Sequence, residues 1–276
     1  MKISEIISQT CLSRLDVEVL LANVLDKPKE WLFTHSDFEV PESSLAQFRA
    51  FEKMRLAGKS VAAILGRKEF FGLEFSVDEN VLIPRPETEI LVEEILKISP
   101  KNLLDVGTGS GAIAIAVAKN LPNCRVVGSD ISPVALEIAR KNAAGFGAKV
   151  EFIESDLLAR IPLSPPFQKR EEKGFEMIVA NLPYIPENST EIEFGVKKFE
   201  PSEALFSGAD GLDTIRKLLD EISQLAEKPK NILLEFGGEA QRISLEKFAR
   251  EKFPDWKIEF ISDLAGIPRV LRMEGL

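Results

Sequence analysis

A turn of small residues between two apolar runs is the first feature of the sequence that could perform chemistry. It separates the runs 103–106 and 112–121 and consists of Gly107, Thr108, Gly109, Ser110 and Gly111. Glycines allow the backbone to turn tightly and to approach a ligand closely. The helix that follows presents free N–H groups at its start. The turn is therefore typical of a nucleotide- or nucleoside-binding site.

An acidic residue follows this turn at a suitable distance for ribose binding. Asp130 comes 21 residues after Gly109 and ends the next predicted strand. A carboxylate there can accept hydrogen bonds from both ribose hydroxyls. From the residues alone, the cofactor is S-adenosylmethionine or a dinucleotide, because Ala112 also completes a G-x-G-x-x-A pattern. The third interpretation of the glycine turn is that it is purely structural. The residues alone do not decide whether Asp105 has a structural role or binds the cofactor.

The second motif, Asn181-Leu182-Pro183-Tyr184, ends the predicted strand 177–180. Ligands bind at this edge of such sheets. An Asn oxygen and a neighbouring backbone carbonyl can accept both hydrogens of a planar –NH₂ group, and an aromatic ring can stack on it. The motif therefore predicts a site that turns a poor nitrogen nucleophile towards an electrophilic methyl group. The alternative is an ordinary strand-end turn.

Other chemistries are disfavoured by residue type. Tyr184 is followed four places later by Asn188 instead of Lys, so a Tyr-x-x-x-Lys hydride-transfer pair is absent. His35 is the only histidine, which excludes a multi-His metal site; we expect it on a helix surface or cap. Cys11 and Cys124 fit no metal or disulfide spacing, which favours free thiols, no metal and a cytoplasmic protein.

The elements that position both motifs follow from the composition and the pattern. A chain of 276 residues with 45% hydrophobic residues predicts about two globular domains. Residues 1–66 are predicted helical, and one helix is expected to bury the series Leu15, Val19, Ala22 and Leu25. Residues 67–84 suggest a hairpin that joins two domains.

The rest of the chain, 85–276, alternates strands and helices. This pattern predicts an α/β domain with a mostly parallel, doubly wound sheet. Residues 161–174 contain three prolines and mixed charges, and we expect a solvated loop. No apolar stretch is long enough for a signal peptide or a membrane span. The net charge of −9 argues against nucleic-acid binding by charge alone.

These motifs together resemble the protein-(glutamine-N5) methyltransferases of peptide-chain release factors, the PrmC/HemK family. The resemblance covers nearly the whole chain and rests on six further segments, 71–75 (FGLEF), 81–89 (VLIPRPETE), 104–111 (LDVGTGSG), 129–133 (SDISP), 200–213 (EPSEALFSGADGLD) and 263–270 (DLAGIPRV). One departure is Leu182, where the family motif Asn-Pro-Pro-Tyr has its first proline. Asn-Leu-Pro-Tyr also resembles rRNA adenine dimethyltransferases.

The resemblance implies a class I, Rossmann-like S-adenosylmethionine-dependent methyltransferase fold. Residues 1–66 would form a helical domain that recognises the release factor, 67–84 a β-hairpin linker and 85–276 the catalytic domain. The cofactor would be bound by Gly107, Thr108, Gly109, Ser110, Gly111, Asp130, Asp156, Leu157 and Asn181. The amide substrate would be held by Asn181, Leu182, Pro183 and Tyr184. Arg85 and Glu87 would shape the entrance, or form a purely structural ion pair.

The implied reaction methylates the side-chain amide nitrogen of the Gln in the Gly-Gly-Gln loop of class I release factors. We expect a monomer without direct nucleic-acid or membrane binding. The alternative enzyme is an adenine-N6 methyltransferase of RNA or DNA, because adenine also offers a planar –NH₂ group. The third hypothesis is a cofactor-binding partner protein without catalytic activity.

Overall fold

The computed structural model describes residues 1–162, 174–190 and 192–275. The chain divides into two compact units: Met1–Arg67 with Ile192–Phe199, and Lys68–Glu191 with Glu200–Leu276. The predicted loop over 161–174 falls mostly on residues 163–173, which lie outside the described residues.

The first unit is helical. Its helices are α1 (Ile3–Gln9), α2 (Arg14–Leu25), α3 (Lys29–Thr34), α4 (Glu42–Leu56), α5 (Val61–Leu65) and α9 (Phe194–Phe199). Helix α2 begins after Ser13, whose hydroxyl accepts a hydrogen bond from the Asp16 amide at 3.1 Å. This bond satisfies one of the free N–H groups at the helix start. The unit is centred on an apolar cluster that includes Ile3, Leu20 and Phe48.

The buried face of α2 differs in part from the predicted one, since Ala22 of the predicted series is buried but Leu15 is not. Leu15 is 59% exposed, whereas Val17, Leu20 and Leu21 are fully buried. The reason is that apolar residues surround most of this helix, so that helical spacing fits more than one face. The packing of α2 against α4 and α5 selects the face that is buried.

The second unit contains a two-stranded hairpin and a seven-stranded sheet. Its strands are β1 (Arg67–Phe70), β2 (Leu73–Ser76), β3 (Asn102–Val106), β4 (Arg125–Asp130), β5 (Val150–Glu154), β6 (Met177–Ala180), β7 (Asn231–Glu235), β8 (Lys257–Ser262) and β9 (Pro268–Glu274). Its α-helices are α6 (Glu89–Ile98), α7 (Ala112–Asn120), α8 (Pro133–Phe146), α10 (Asp213–Ser223) and α11 (Glu239–Lys252). Short 3₁₀ turns cover Pro86–Thr88 and Ser202–Ala204.

The large sheet has the order β5-β4-β3-β6-β7-β9-β8; the strands from β5 to β7 pair in parallel, and β9 runs antiparallel to both of its neighbours. Its central strands are covered on both faces, so side chains alternate between two apolar clusters. Leu104 and Ile178 face the cluster that contains residues of α10 and α11. Leu103 and Met177 face the cluster with α6 and α7, which also contains Phe70 and Phe75 of the hairpin.

This architecture confirms the predicted α/β fold with a mostly parallel sheet and an N-terminal helical region. None of the helices in the described ranges is long and apolar enough to cross a membrane.

Candidate active site

The carboxyl ends of three central strands open onto one cavity of about 510 Å³. Strand β3 pairs in parallel with β4 and β6, and Val106 lies level with both Ser129 and Ala180. The segments that follow these strands must therefore emerge side by side. The predicted residues that line the cavity are Gly107, Thr108, Gly109, Ser110, Asp130, Asp156, Leu157, Asn181, Leu182 and Pro183.

The glycine turn needs residues that tolerate a left-handed backbone. Gly107, Gly109 and Gly111 have φ values of 73°, 55° and 82°. A Cβ on Gly109 would meet no atom within 4 Å, so this backbone is open to a ligand. Gly111 does not line the cavity; a Cβ there would lie 2.9 Å from Ile115 Cδ1 in the helix it precedes.

Asp130 connects the turn to the end of β4. Its carboxylate accepts hydrogen bonds from the amides of Gly109 and Ser132, both at 2.9 Å. Burial raises its pKa, while these bonds act in the opposite direction. Two amides fix the carboxylate in place, and its remaining lone pairs can accept ribose hydroxyls.

Asp105 lies beneath the turn, outside the cavity lining. It is fully buried and accepts a hydrogen bond from the Thr108 hydroxyl at 2.6 Å. Burial raises its pKa to about 7, although the Thr108 bond lowers it. The observed contact is thus a structural one that braces the glycine turn.

The segment after β5 borders another side of the cavity. Asp156 is exposed and forms an ion pair with Lys217 at 2.8 Å. Leu157 is buried and has a positive φ of 46°. Ile131 and Val134, to which the sequence assigned no role, also line the cavity and are exposed. These three apolar side chains provide a surface on which a flat purine could lie.

Only one of the two polar atoms of the Asn181 side-chain amide has a hydrogen-bond partner among the described residues. Its Nδ2 donates a hydrogen bond to the Thr88 hydroxyl oxygen at 3.0 Å. Its Oδ1 is buried and has no hydrogen-bond partner among the described residues. Leu182 is also buried, and its Cδ2 lies where a side chain on Gly107 would reach. The motif therefore offers a free amide oxygen beside the glycine turn.

Tyr184 lies behind the cavity and is not part of its lining. Its hydroxyl donates a hydrogen bond to Glu235 Oε1 at 3.1 Å, and burial raises its pKa. Glu235 is 1% exposed, and burial raises its pKa to about 7. The carbonyl of Tyr184 accepts a hydrogen bond from Gln241 Nε2 at 2.7 Å. Both ends of this tyrosine are thus anchored.

The two remaining predicted residues also lie outside the cavity lining. Arg85 forms an ion pair with the buried Glu200 at 2.7 Å. Glu87 belongs to the same 3₁₀ turn as Thr88, and its charge raises the pKa of Glu235. The structure therefore brings the predicted residues together in two layers, one lining the cavity and one behind it.

Besides Ile131 and Val134, three polar residues that hydrogen-bond to the motif were not predicted from the sequence: Thr88, Glu235 and Gln241. Thr88 lies within the distinctive 81–89 run, which offered the only indication of its importance. Glu235 ends β7 and Gln241 lies in the first turn of α11, more than 50 residues from the motif, and ordinary polar residues at such places carry no distinguishing pattern.

The histidine and the two cysteines are not among the residues that line the cavity. His35 is exposed at the end of α3, where its ring stacks on Trp31 at 4.1 Å. Within the described part of the chain, no group of three or more His, Cys, Asp or Glu residues could hold a metal ion.

S-adenosylmethionine fits the residues that are present. The open backbone at Gly109 and the fixed carboxylate of Asp130 suit a methionine end and a ribose, and the apolar residues Ile131, Val134 and Leu157 suit an adenine. A parallel sheet with these groups at its carboxyl edge defines a class I S-adenosylmethionine-dependent methyltransferase.

Comparison with known proteins identifies the family. The family model "Methyltransferase small domain" matches residues 86–207, and "PrmC N-terminal domain" matches residues 8–66. A release factor glutamine methyltransferase of Koribacter versatilis is 38% identical over 94% of this chain and 90% of its own length. The Neisseria gonorrhoeae enzyme of the same name is 38% identical over 94% and 92%. The chain therefore belongs to the release factor glutamine methyltransferase family.

Solved structures show the same fold at low sequence identity. The catalytic domain of hMettl16, solved with an MAT2A 3′UTR hairpin, has a TM-score of 0.58 and 13% identity, with 92% of this chain and 90% of that chain covered. Human methyltransferase 10 domain containing protein has a TM-score of 0.53 and 14% identity, with coverage of 82% and 97%.

Proposed function

We propose that this protein transfers a methyl group from S-adenosylmethionine to the side-chain amide nitrogen, N5, of the Gln in the Gly-Gly-Gln loop of class I peptide-chain release factors. The observation that supports this most directly is the buried, unpartnered Oδ1 of Asn181 beside the glycine turn. Relatives at 35–39% identity that bear this enzyme's name support the same substrate.

An amide nitrogen is a weak nucleophile because its lone pair is delocalised into the carbonyl. When bound, S-adenosylmethionine supplies an electrophilic methyl group with a neutral thioether as leaving group. The protein must therefore supply position and hydrogen-bond acceptors, and in-line placement alone can be worth ~7–11 kcal/mol. Acceptors on the –NH₂ group also stabilise the positive charge that develops on nitrogen.

The Asn181 Oδ1 and the Leu182 carbonyl oxygen are assigned to the two hydrogens of the substrate amide. As the N–C bond forms and the S–C bond breaks, the nitrogen becomes positive and then loses one proton to solvent. Pro183 stiffens the backbone between these acceptors and Tyr184, whose ring lies behind the cavity lining and is assigned to the glutamine side chain from that side. Leucine at 182 keeps the carbonyl that the family proline would supply.

The remaining assignments concern the cofactor and the entrance. Gly107–Gly111 would contact the methionine end, with Gly111 acting through the turn, and Asp130 would bind the ribose. Asp156 and Leu157 would border the adenine, and Asn181 would also approach the cofactor. Arg85 and Glu87 would shape the entrance from behind the cavity lining.

We assign release-factor recognition to residues 1–66, a linking role to the hairpin 67–84 and catalysis to 85–276. A protein that modifies translation factors would work in the cytoplasm. We further propose a monomer that recognises the release factor without direct nucleic-acid binding. Gel filtration with light scattering tests whether the protein is a monomer, and filter binding to RNA and DNA tests whether it binds nucleic acid directly.

The test of function uses methyl-labelled S-adenosylmethionine and two purified release factors, one wild-type and one with Ala in place of the Gly-Gly-Gln glutamine. Label on the Gln form alone, located by mass spectrometry on that residue, is the expected result. Label on neither form, with cofactor binding intact, would refute the proposal. The variant N181A serves as the matched control for the site.

Adenine-N6 methylation is the competing outcome of the same test, because adenine presents a similar –NH₂ group. No observation in the structure favours it, and the net charge of −9 disfavours a phosphate-binding surface. Label incorporated into RNA or DNA, but not into a release factor, would establish that alternative. Cofactor binding without transfer to any of these substrates would establish a non-catalytic partner protein.

A further inference from the structure

Two hydrogen bonds hold the catalytic motif from opposite ends, one in the cavity wall and one behind it. Asn181 Nδ2 donates to Thr88 Oγ1 at 3.0 Å, and the Tyr184 hydroxyl donates to Glu235 Oε1 at 3.1 Å. Thr88 and Glu235 are only 4% and 1% exposed. Such buried polar groups hold one geometry because water cannot replace their partners.

The direction of these bonds decides which end of the Asn181 amide faces the cavity. Thr88 accepts the Nδ2–H group with an oxygen lone pair, so its own proton remains available to another acceptor. Its hydroxyl lowers the pKa of the neighbouring Glu235 carboxyl, whose Oε2 is buried and has no hydrogen-bond partner among the described residues. Glu235 Oε2 is thus an acceptor available to the Thr88 proton, and donation from Asn181 Nδ2 to Thr88 leaves Oδ1 as the free end of the amide.

We propose that Thr88 and Glu235 are positioning residues that fix the Asn181 amide with its oxygen towards the substrate. This inference rests on the proposed function, since only an –NH₂ substrate needs that orientation. An amide rotated by 180° would present its own –NH₂ group to the substrate –NH₂ group, and two donors cannot form a hydrogen bond. Glu235 also accepts the hydrogen bond of the Tyr184 hydroxyl, so one buried carboxyl would act on Tyr184 directly and on Asn181 through Thr88.

The protonation state of Glu235 then influences the orientation of the amide. The ionised carboxylate only accepts hydrogen bonds, which directs the Thr88 proton towards it; the protonated carboxyl can instead donate to Thr88. The charged or titratable groups that act on Glu235 are Tyr184, Glu87 and Arg269, besides the neutral Thr88. Activity is therefore expected to rise with pH as Glu235 ionises, around pH 7.

The kinetic test compares T88V, which removes the hydroxyl at nearly constant shape, with T88S, which retains it. We expect kcat of T88V to be about tenfold below that of T88S, the effect of one lost orienting hydrogen bond. KM for the release factor should differ by less than about threefold, since the docking surface is untouched. Equal kcat values for the two variants, whether high or low, would overturn the role of Thr88.

The role of Glu235 is tested with E235Q in a pH series of kcat from pH 6 to 9. The wild type should gain activity across pH 7, and E235Q should lack that step. A step of the same size in both proteins would overturn the role of Glu235. Thermal unfolding of each variant identifies any loss of kcat that comes only from instability.

A spectroscopic measurement separates this inference from the proposed function. The side-chain amide of Asn181 can be observed by NMR in protein labelled with ¹⁵N-asparagine and assigned by its absence in N181D. Its protons should exchange slowly with water in the wild type and T88S, and at least tenfold faster in T88V. An unchanged exchange rate would refute the orienting bond, even if the release factor proves not to be the substrate.

Discussion

Gly211 offers a sharp test of the way the catalytic motif is held. This residue belongs to the 200–213 segment and has a φ of 80°. A Cβ added there would lie 2.8 Å from the carbonyl carbon of Tyr184, and it would be closer still to the carbonyl oxygen and to Gln241 Nε2. Gln241 Nε2 donates to the carbonyls of Tyr184 and Asp210, both at 2.7 Å. The variant G211A must therefore move the backbone of the motif.

The expected cost has two parts. A left-handed backbone costs an alanine roughly 1–2 kcal/mol. Weakening the two bonds of Gln241 adds about 0.5–1.5 kcal/mol each, for a total near 3 kcal/mol. Ordinary contact distances require the Tyr184 carbonyl to retreat by about 1 Å, and a misplacement of that size can reduce the rate ~100-fold.

The matched control is G147A. Gly147 ends α8 with a φ of 61°, and a Cβ there would meet nothing within 4 Å. This variant should lose only the roughly 1–2 kcal/mol of backbone strain and keep its kcat. Chemical denaturation, methyl-transfer kinetics and calorimetric titration with S-adenosylmethionine are the assays. G211A should keep its cofactor affinity within about threefold, because its clash is with the acceptor motif.

Equal losses of stability in G211A and G147A, with kcat unchanged in both, would refute this account of the motif. A large loss of cofactor affinity in G211A would also contradict it. In that case the 200–213 segment would support the glycine turn instead of the acceptor motif.

Three further predictions follow from other contacts. N181A should lower kcat about 10²–10³-fold, because it removes an acceptor of the substrate amide, as single-turnover kinetics can measure. D105N should flatten the pH dependence of the free energy of unfolding. The pKa of Asp105 is raised to about 7 in the folded state, so the stability that its protonated form contributes at low pH is lost as the pH rises through 7. The free energy of unfolding of the wild type should therefore fall by about 3 kcal/mol between pH 5 and 8.5. A denaturation midpoint that shifts equally in both proteins would contradict this. G195A should destabilise the helical unit, since its Cβ would lie 3.0 Å from the Gly58 carbonyl carbon and closer to the oxygen; unchanged hydrogen exchange there would disprove the contact.

The fold could be predicted from the sequence because the central strands are short apolar runs with a glycine or proline nearby. The predicted bounds of β3 and β6 agree with the observed ones to within one residue, and β4 ends at Asp130 as predicted. Parallel strands bring their carboxyl ends to one edge of the sheet, so the sequence alone predicts that Gly109 and Asp130 lie close together. The buried face of α2 could not be predicted from the sequence, because Leu15 and Leu20 have the same side chain and only tertiary packing decides which of them is buried.

The support behind the motif could not be predicted for a different reason. Side-chain hydrogen bonds between distant segments leave no periodic trace in a sequence, unlike the faces of helices and strands. Tyr184 was expected to present its ring to the substrate, and nothing in the sequence indicated that its hydroxyl reaches Glu235. The distance in sequence between Asn181 and Thr88 likewise conceals the contact between their side chains.

The substitution of Leu182 for the family proline becomes understandable from these contacts. A proline at this place would stiffen the motif locally, through its fixed φ. In this chain the Leu182 side chain is buried, with Cδ2 only 2.9 Å from where a Gly107 Cβ would stand. Thr88, Glu235 and Gln241 restrain the residues on either side through hydrogen bonds. Tertiary contacts around the motif thus provide the rigidity that a second proline would provide within it. Leu182 also retains the backbone carbonyl that serves as an acceptor.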